Sequence, residues 1–127
     1  MTHYALIGHP LGHSLSPQIH RALLTAAHLE GDYRLLDIAP EDLANRLPEL
    51  QTLRGFNVTI PHKQAVLSAM AELDEKAALF GAVNTVAVRG GKFDGYNTDC
   101  YGFLRSLSAA GIPLAGRVLV LGTGGVA

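Results

Sequence analysis

Apolar residues along this chain switch repeatedly between short continuous runs and helical spacing. Tyr4-Ala5-Leu6-Ile7 is a short apolar run closed by Gly8, which reads as a buried strand. A loop follows from His9 to Leu15. Ser16-Pro17 then reads as a helix start, with the serine as cap and the proline at the first helical position. Ile19, Leu23 and Ala26 recur at i, i+4 and i+7, and Gly31 supplies the stop. Tyr33 to Ile38 reads as a second strand. Glu41 to Leu53 has helical spacing at Leu43, Leu47 and Leu50, with Pro48 expected to break or restart it. Gly55 precedes a third strand, Phe56 to Thr59, and Pro61 is expected to open another helix. Asp74 to Phe80 reads as a short helix capped by Asp74 and ended by Gly81. Thr85 to Arg89 and Lys92 to Tyr96 flank Gly90-Gly91, the strongest hairpin signal in the chain. Thr98 to Ala110 places Phe103, Leu104 and Leu107 on one helical face, with Gly111 as the stop. Helices alternating with extended runs predict an α/β domain, a largely parallel mixed sheet flanked by helices.

The last segment differs in kind. Val118-Leu119-Val120-Leu121 reads as a buried strand, and Gly122-Thr123-Gly124-Gly125 follows it. A strand entering a glycine-rich turn is how dinucleotide-binding units begin, because glycine lets the backbone approach a pyrophosphate. The helix, second strand and ribose-reading residue that would complete such a unit do not follow in these 127 residues. Gly122, Gly124 and Gly125 are therefore candidate cofactor residues of an incomplete site. The expected boundary lies near Gly111 to Gly116. Residues 1–111 form one domain, and residues 112–127 form a linker plus the first strand and glycine turn of a second.

Composition narrows the chemistry. Ten Lys and Arg against eleven Asp and Glu leave a net charge of −1, so no basic field favours nucleic acid or an anionic membrane. Six His lie scattered at positions 3, 9, 13, 20, 28 and 62, and Cys100 is the single cysteine, so neither zinc spacing nor an internal disulfide is present. A reducing, cytoplasmic setting fits that cysteine usage. Met1 to Ile7 lacks the basic and long apolar regions of a secretory signal, and no run reaches membrane-spanning length.

Polar residues concentrate in four segments at predicted strand ends, where open α/β sheets place ligands. They are Gly8-His9-Pro10-Leu11-Gly12-His13-Ser14-Leu15-Ser16-Pro17, Gly55-Phe56-Asn57-Val58-Thr59-Ile60-Pro61-His62-Lys63, Gly81-Ala82-Val83-Asn84-Thr85 and Gly95-Tyr96-Asn97-Thr98-Asp99. Singly, each has a plain structural reading. Ser16 caps a helix, Ser14 sits in a turn, and Asn84 bonds local backbone. Lys63 is a solvated charge, and Asp99 is a first-turn carboxylate. Asn57 and Thr59 alternate with Phe56 and Val58, so they share one face of a strand.

Together, in order and spacing, the four segments and the terminal glycine turn resemble shikimate dehydrogenases. The resemblance covers nearly the whole chain, although family members run considerably longer. It implies reversible NADPH-dependent reduction of 3-dehydroshikimate to shikimate, within aromatic amino-acid biosynthesis. It further implies that Ser14 and Ser16 bind the substrate carboxylate and that Asn84 contacts a ring hydroxyl, while the shared strand face of Asn57 and Thr59 suits reading either a polyol or the carboxylate. Lys63 and Asp99 would face each other across the reacting hydroxyl. A positioned acid/base group contributes about 10²- to 10⁴-fold to such a step. Lys63 is assigned that role and Asp99 the orienting acceptor. The proton inventory stays open, because a lysine near its usual pKa of about 10.4 is a poor base at neutral pH and a carboxylate neighbour raises it further. Cys100 stands where the family commonly has a small residue such as glycine, and reads as a packed thiol. His13 and His62 lie inside the segments without an assigned role.

Two other readings fit the same residues: a shikimate- or quinate-sensing module without catalysis, and a quinate-preferring relative. Ser16, rather than a bulkier hydroxyl residue, favours shikimate. Without a complete cofactor domain the chain is expected to bind substrate and not to turn it over. The uncovered face predicts a frayed C-terminal strand or self-association.

Overall fold

The alternation of periods is realised as six strands and four α-helices in a computed structural model, which describes residues 1–124. In chain order these are β1 (Thr2–Gly8), α1 (Ser16–Ala26), β2 (Gly31–Asp37), α2 (Leu43–Leu50), β3 (Gly55–Val58), β4 (Glu72–Leu73), α3 (Glu75–Phe80), β5 (Thr85–Arg89), β6 (Lys92–Tyr96) and α4 (Asp99–Ala109). Short 3-10 helices at Pro40–Asp42 and Ala65–Ala69 fill two of the connections. One sheet runs β2-β1-β3-β5-β6-β4. The pairings β1/β2, β1/β3 and β4/β6 are parallel, whereas β5 runs antiparallel to both β3 and β6.

Register explains the core. Ala5 lies beside Phe56, Phe56 beside Val86, Ile7 beside Val58 and Val88 beside Phe93. Side chains alternate between sheet faces, so these residues form one apolar face. Leu43 and Leu50 of α2, together with Val66, close over it. Phe56 and Phe93 meet edge to face with centroids 5.5 Å apart. Gly95 occurs in this face because a Cβ there would stand 2.9 Å from both Met70 Sδ and Val83 Cγ2.

Local signals account for several boundaries. The Asp74 carboxylate accepts the Ala77 N–H at 2.7 Å, and Gly81 takes φ 59° to end α3. Gly90 and Gly91 sit at φ 57° and 74°, the left-handed pair that a tight hairpin turn demands. Helix α2 follows the 3-10 turn Pro40–Asp42 and stops at Leu50; contrary to expectation Pro48 neither breaks nor restarts it, lying inside its last turn.

Four further expectations need correction. Pro61 does not open a helix: His62 N–H turns back to Thr59 O at 3.0 Å, and the Lys63 carbonyl accepts Val83 N–H at 2.8 Å instead of starting a ladder. Ser16 does not cap α1; it is the first helical residue, and Leu15 occupies the cap position without a side-chain bond. Ile19 and Leu23 of α1 stay more than half exposed, and no residue of that helix is buried. Val118 to Leu121 form no strand and lie exposed, because an extended segment without a hydrogen-bonded neighbour has no ladder to join. The two-residue β4 is too short to leave a periodic signal in the sequence.

Candidate functional site

The second sheet face carries the site. One transverse row of neighbouring residues reads Leu35, Leu6, Asn57, Thr85, Tyr96, and the next reads Tyr33, Tyr4, Gly55, Ala87, Asp94. Polar residues dominate here, whereas the centre of the first face, on β3, β5 and β6, is apolar. From this face a continuous hydrogen-bonded chain crosses the molecule. Tyr33 Oη donates to Asn57 Oδ1 at 2.8 Å. Asn57 Nδ2 donates to Thr85 Oγ1 at 3.1 Å and to the Asn84 carbonyl at 3.3 Å. Thr85 Oγ1 donates to Asn84 Oδ1 at 3.2 Å, and Asn84 Nδ2 donates to Asp99 Oδ1 at 3.0 Å. Lys63 Nζ donates to Asp99 Oδ2 at 2.7 Å and closes the chain.

Each end of the Lys63–Asp99 pair is anchored by backbone. His62 is 1% exposed and its Nε2–H donates to the Ile38 carbonyl at 2.6 Å, tying the turn before Lys63 to the end of β2. Asn97 is buried, donates to the Ala82 carbonyl at 3.1 Å, and accepts the N–H of Asp99 at 3.0 Å and of Cys100 at 3.4 Å. Asn97 thus does the capping work at the start of α4 that Thr98, the residue in the cap position, does not. The Lys63 side chain is 16% exposed and the Asp99 side chain 40%, so the pair is sheltered on one side and open on the other. That arrangement leaves an ammonium, held by a carboxylate, open on one side.

Asn84 is fully engaged: besides the bonds above, it donates to Thr98 Oγ1 at 2.8 Å and accepts the Thr98 N–H at 2.9 Å. Its amide orients Asp99, and a ring hydroxyl would have to replace one of these partners. Ser14 Oγ accepts the Ser16 N–H at 3.2 Å. The turn is therefore held by Ser14, and the Ser16 carbonyl accepts from His20 Nδ1–H at 3.0 Å. Burial pushes Tyr33 up to about 12, while the Ser16 hydroxyl pulls it the other way.

Thr59 stands at the end of β3, its N–H bonded to Ile7 O at 2.9 Å. Gly8 makes that approach possible: a Cβ there would fall 2.5 Å from Thr59 Cγ2 and 2.7 Å from Leu11 Cδ2. The loop before Ser14 is tied down by Asp37, which accepts the Leu11 N–H at 3.0 Å and bonds His9 Nδ1 at 2.6 Å. The Leu11 N–H, and then His9, hold the Asp37 carboxyl below the ordinary carboxylate value.

Lys63, Asp99, Asn84 and Asn57 are thus joined directly, Ser16 and Ser14 join them through His20 and Tyr33, and Thr59 lies beside Gly8. Gly122 and Gly124 do not take part; they stand exposed with no strand formed before them. Gly125 lies outside the described residues. Sequence reading does not single out Tyr33, His20, Thr85 or the capping role of Asn97. Tyr33 has the signature of an ordinary strand aromatic, and its partner Asn57 is 24 residues away.

The same chain of segments is found in known proteins. A model of the shikimate dehydrogenase substrate-binding domain matches residues 6–86. A shikimate dehydrogenase (NADP(+)) from Oceanobacillus iheyensis is 50% identical over 129 residues, covering 96% of this chain and 47% of that protein. Shikimate 5-dehydrogenase from Thermus thermophilus, in complex with NADP(H) and shikimate, superposes with a TM-score of 0.92 at 46% identity, over 99% of this chain and 49% of that one. Shikimate dehydrogenase 1 from Peptoclostridium difficile gives a TM-score of 0.95 at 34% identity, over 99% and 48%. The chain spans about half the length of the curated relatives it matches. Because the matched region contains the loop, strand and turn that build the site as far as Asn84, the chain belongs to the family of shikimate dehydrogenase substrate-binding domains.

Proposed function

We propose that this chain is the substrate-binding half of an NADP-dependent shikimate dehydrogenase. Residues 1–111 form the domain that takes shikimate or 3-dehydroshikimate, and residues 112–127 lead into a cofactor domain. The observation that carries this reading is the 2.7 Å Lys63–Asp99 pair at the end of a hydrogen-bonded chain that begins at Tyr33, whose ring stacks on the His20 that holds the Ser16 carbonyl. A six-membered polyol with one carboxylate has the complementary layout: an anion for the serine end, and a hydroxyl for the lysine end.

Acid/base chemistry follows from the pair. When a ring ketone is reduced, its oxygen gains a proton, and the Lys63 ammonium is placed to supply it while Asp99 holds Nζ in position. In oxidation the proton returns along the same line. Gly122 and Gly124 lie exposed with neither a strand nor a helix built around them, so the described residues form no pyrophosphate cradle. NADP enters this reading through the activity of the relatives alone.

Titrating shikimate into the purified chain tests the proposal, with Lys63→Ala and Asp99→Ala beside it. Saturable binding without NADPH-dependent turnover is expected. Each substitution removes charge-assisted contacts of about 1.5–3 kcal/mol, which weakens binding about 10- to 150-fold. Wild-type chain that shows no saturable binding, or variants that bind as tightly as wild type, would overturn the reading.

A further inference from the structure

We infer that Tyr33 is a positioning residue for the carboxylate end of the site, joining Ser16 at the start of α1, through the His20 ring stacked on it, to Asn57 on β3. The inference rests on the substrate reading above and names a residue that reading did not use.

Two contacts fix the phenol. Its hydroxyl donates to Asn57 Oδ1 at 2.8 Å. Its ring stacks on His20 with centroids 3.9 Å apart and planes 12° from parallel. His20 Nδ1–H in turn donates to the Ser16 carbonyl at 3.0 Å, so the stacking partner holds the backbone of the same serine. Ser16, His20 and Tyr33 therefore form one unit spanning the first turn of α1 and strand β2.

The chemistry of the unit is directional. Burial keeps the phenol neutral well past physiological pH, so Tyr33 remains a donor to Asn57 throughout. With Oδ1 taken by Tyr33, the Asn57 amide has one orientation, its NH₂ turned to Thr85 and the Asn84 carbonyl. Without the hydroxyl Oδ1 loses its donor and the amide is held from its NH₂ side alone, by Thr85 and the Asn84 carbonyl, so its placement at this end is less tightly fixed. An anionic ligand end depends on such placement more than a neutral one, because hydrogen bonds to a charge are stronger and more demanding of geometry.

Tyr33→Phe is the informative variant, since it keeps the ring and its stacking on His20. The ligands are shikimate and its methyl ester, which has the same ring hydroxyls and no anion. Affinity for shikimate is expected to fall about tenfold, the loss of one well-placed hydrogen bond, and affinity for the ester by less than about twofold on the same scale. The ¹⁵N-resolved side-chain amide signals of Asn57 should shift, and the spectrophotometric titration should lose its component near pH 12. Equal weakening toward acid and ester, or unchanged shikimate affinity, would overturn the inference while leaving the substrate reading in place. Wild-type chain that binds neither ligand would overturn the substrate reading, and this inference with it.

Discussion

The two faces of the sheet are made by alternate residues of the same strands, and they do opposite work. On β3, Phe56 and Val58 are buried in the apolar layer under α2, whereas Asn57 between them is half-buried and carries three hydrogen bonds of the site. On β5, Val86 and Val88 join the core while Thr85 joins the polar chain. Because side chains alternate with a period of two, a one-residue slip would put Asn57 in the core and Phe56 in the site. The core therefore does more than hold the domain together. It fixes the register that places Asn57, Thr85 and Tyr33 in one polar surface. The packed face makes the strands, and the polar face uses the positions that packing leaves over.

The largest expected effect comes from breaking the packed face. Phe56→Ala removes a ring that meets Phe93 at 5.5 Å and is almost fully buried. Denaturant unfolding should show a loss of about 3–5 kcal/mol, the usual cost of a large-to-small change in a core. A loss below about 1 kcal/mol would mean that the two faces are not divided as described, since surface changes fall in that range.

Legibility in the sequence follows the same division. The strands, the hairpin at Gly90-Gly91 and the helix from Asp74 to Gly81 are readable because each rests on near neighbours: an apolar run, a left-handed glycine pair, a carboxylate three residues from its N–H. Ser14, Asn57, Asn84, Lys63 and Asp99 are readable as a set through the family resemblance of their segments. What joins them is not. Tyr33 to Asn57 spans 24 residues and Lys63 to Asp99 spans 36, and no local rule carries such distances. The failed helix at Pro61 has the same origin, since the partner that claims the Lys63 carbonyl is Val83 on another segment. Val118 to Leu121 failed for the complementary reason: the composition suits a strand, yet a strand exists only beside another.

Breaking the polar face should divide the two properties. Asn57→Ala leaves Phe56 and Val58 untouched and removes three hydrogen bonds, one of them from the Tyr33 hydroxyl. The expected cost in stability is about 1–3 kcal/mol, set by the half-buried donor left without a partner. Shikimate affinity should fall by more than the tenfold expected for Tyr33→Phe, because the residue itself and not only its orientation is lost. Thermal unfolding and titration on the same sample separate the two. Affinity that survives while stability drops would assign Asn57 to the scaffold and move the site elsewhere on the face.

The smallest effect lies at the rim between the faces, where Asp37 ends β2 and ties the loop that leads to Ser14. Its carboxylate accepts the Leu11 N–H and bonds His9, and these partners hold its pKa below the ordinary 3.8. A carboxyl whose folded pKa is depressed contributes stability above its unfolded value and loses it as the pH falls through the folded one. The loop should thus stay tied at neutral pH and loosen only under acid conditions below 3.8. The Leu11 amide signal reports this directly: it should move with a midpoint below that value in the wild-type chain and stay flat in Asp37→Asn. A midpoint at or above 3.8 would show that the Leu11 N–H does not favour the charged carboxylate, and would detach the serine loop from the end of β2. Because Asp37 is exposed, the change should be confined to the loop, with the core signals of Phe56 and Val58 unmoved. Movement of those core signals through the same titration would mean that the rim and the packed face unfold together.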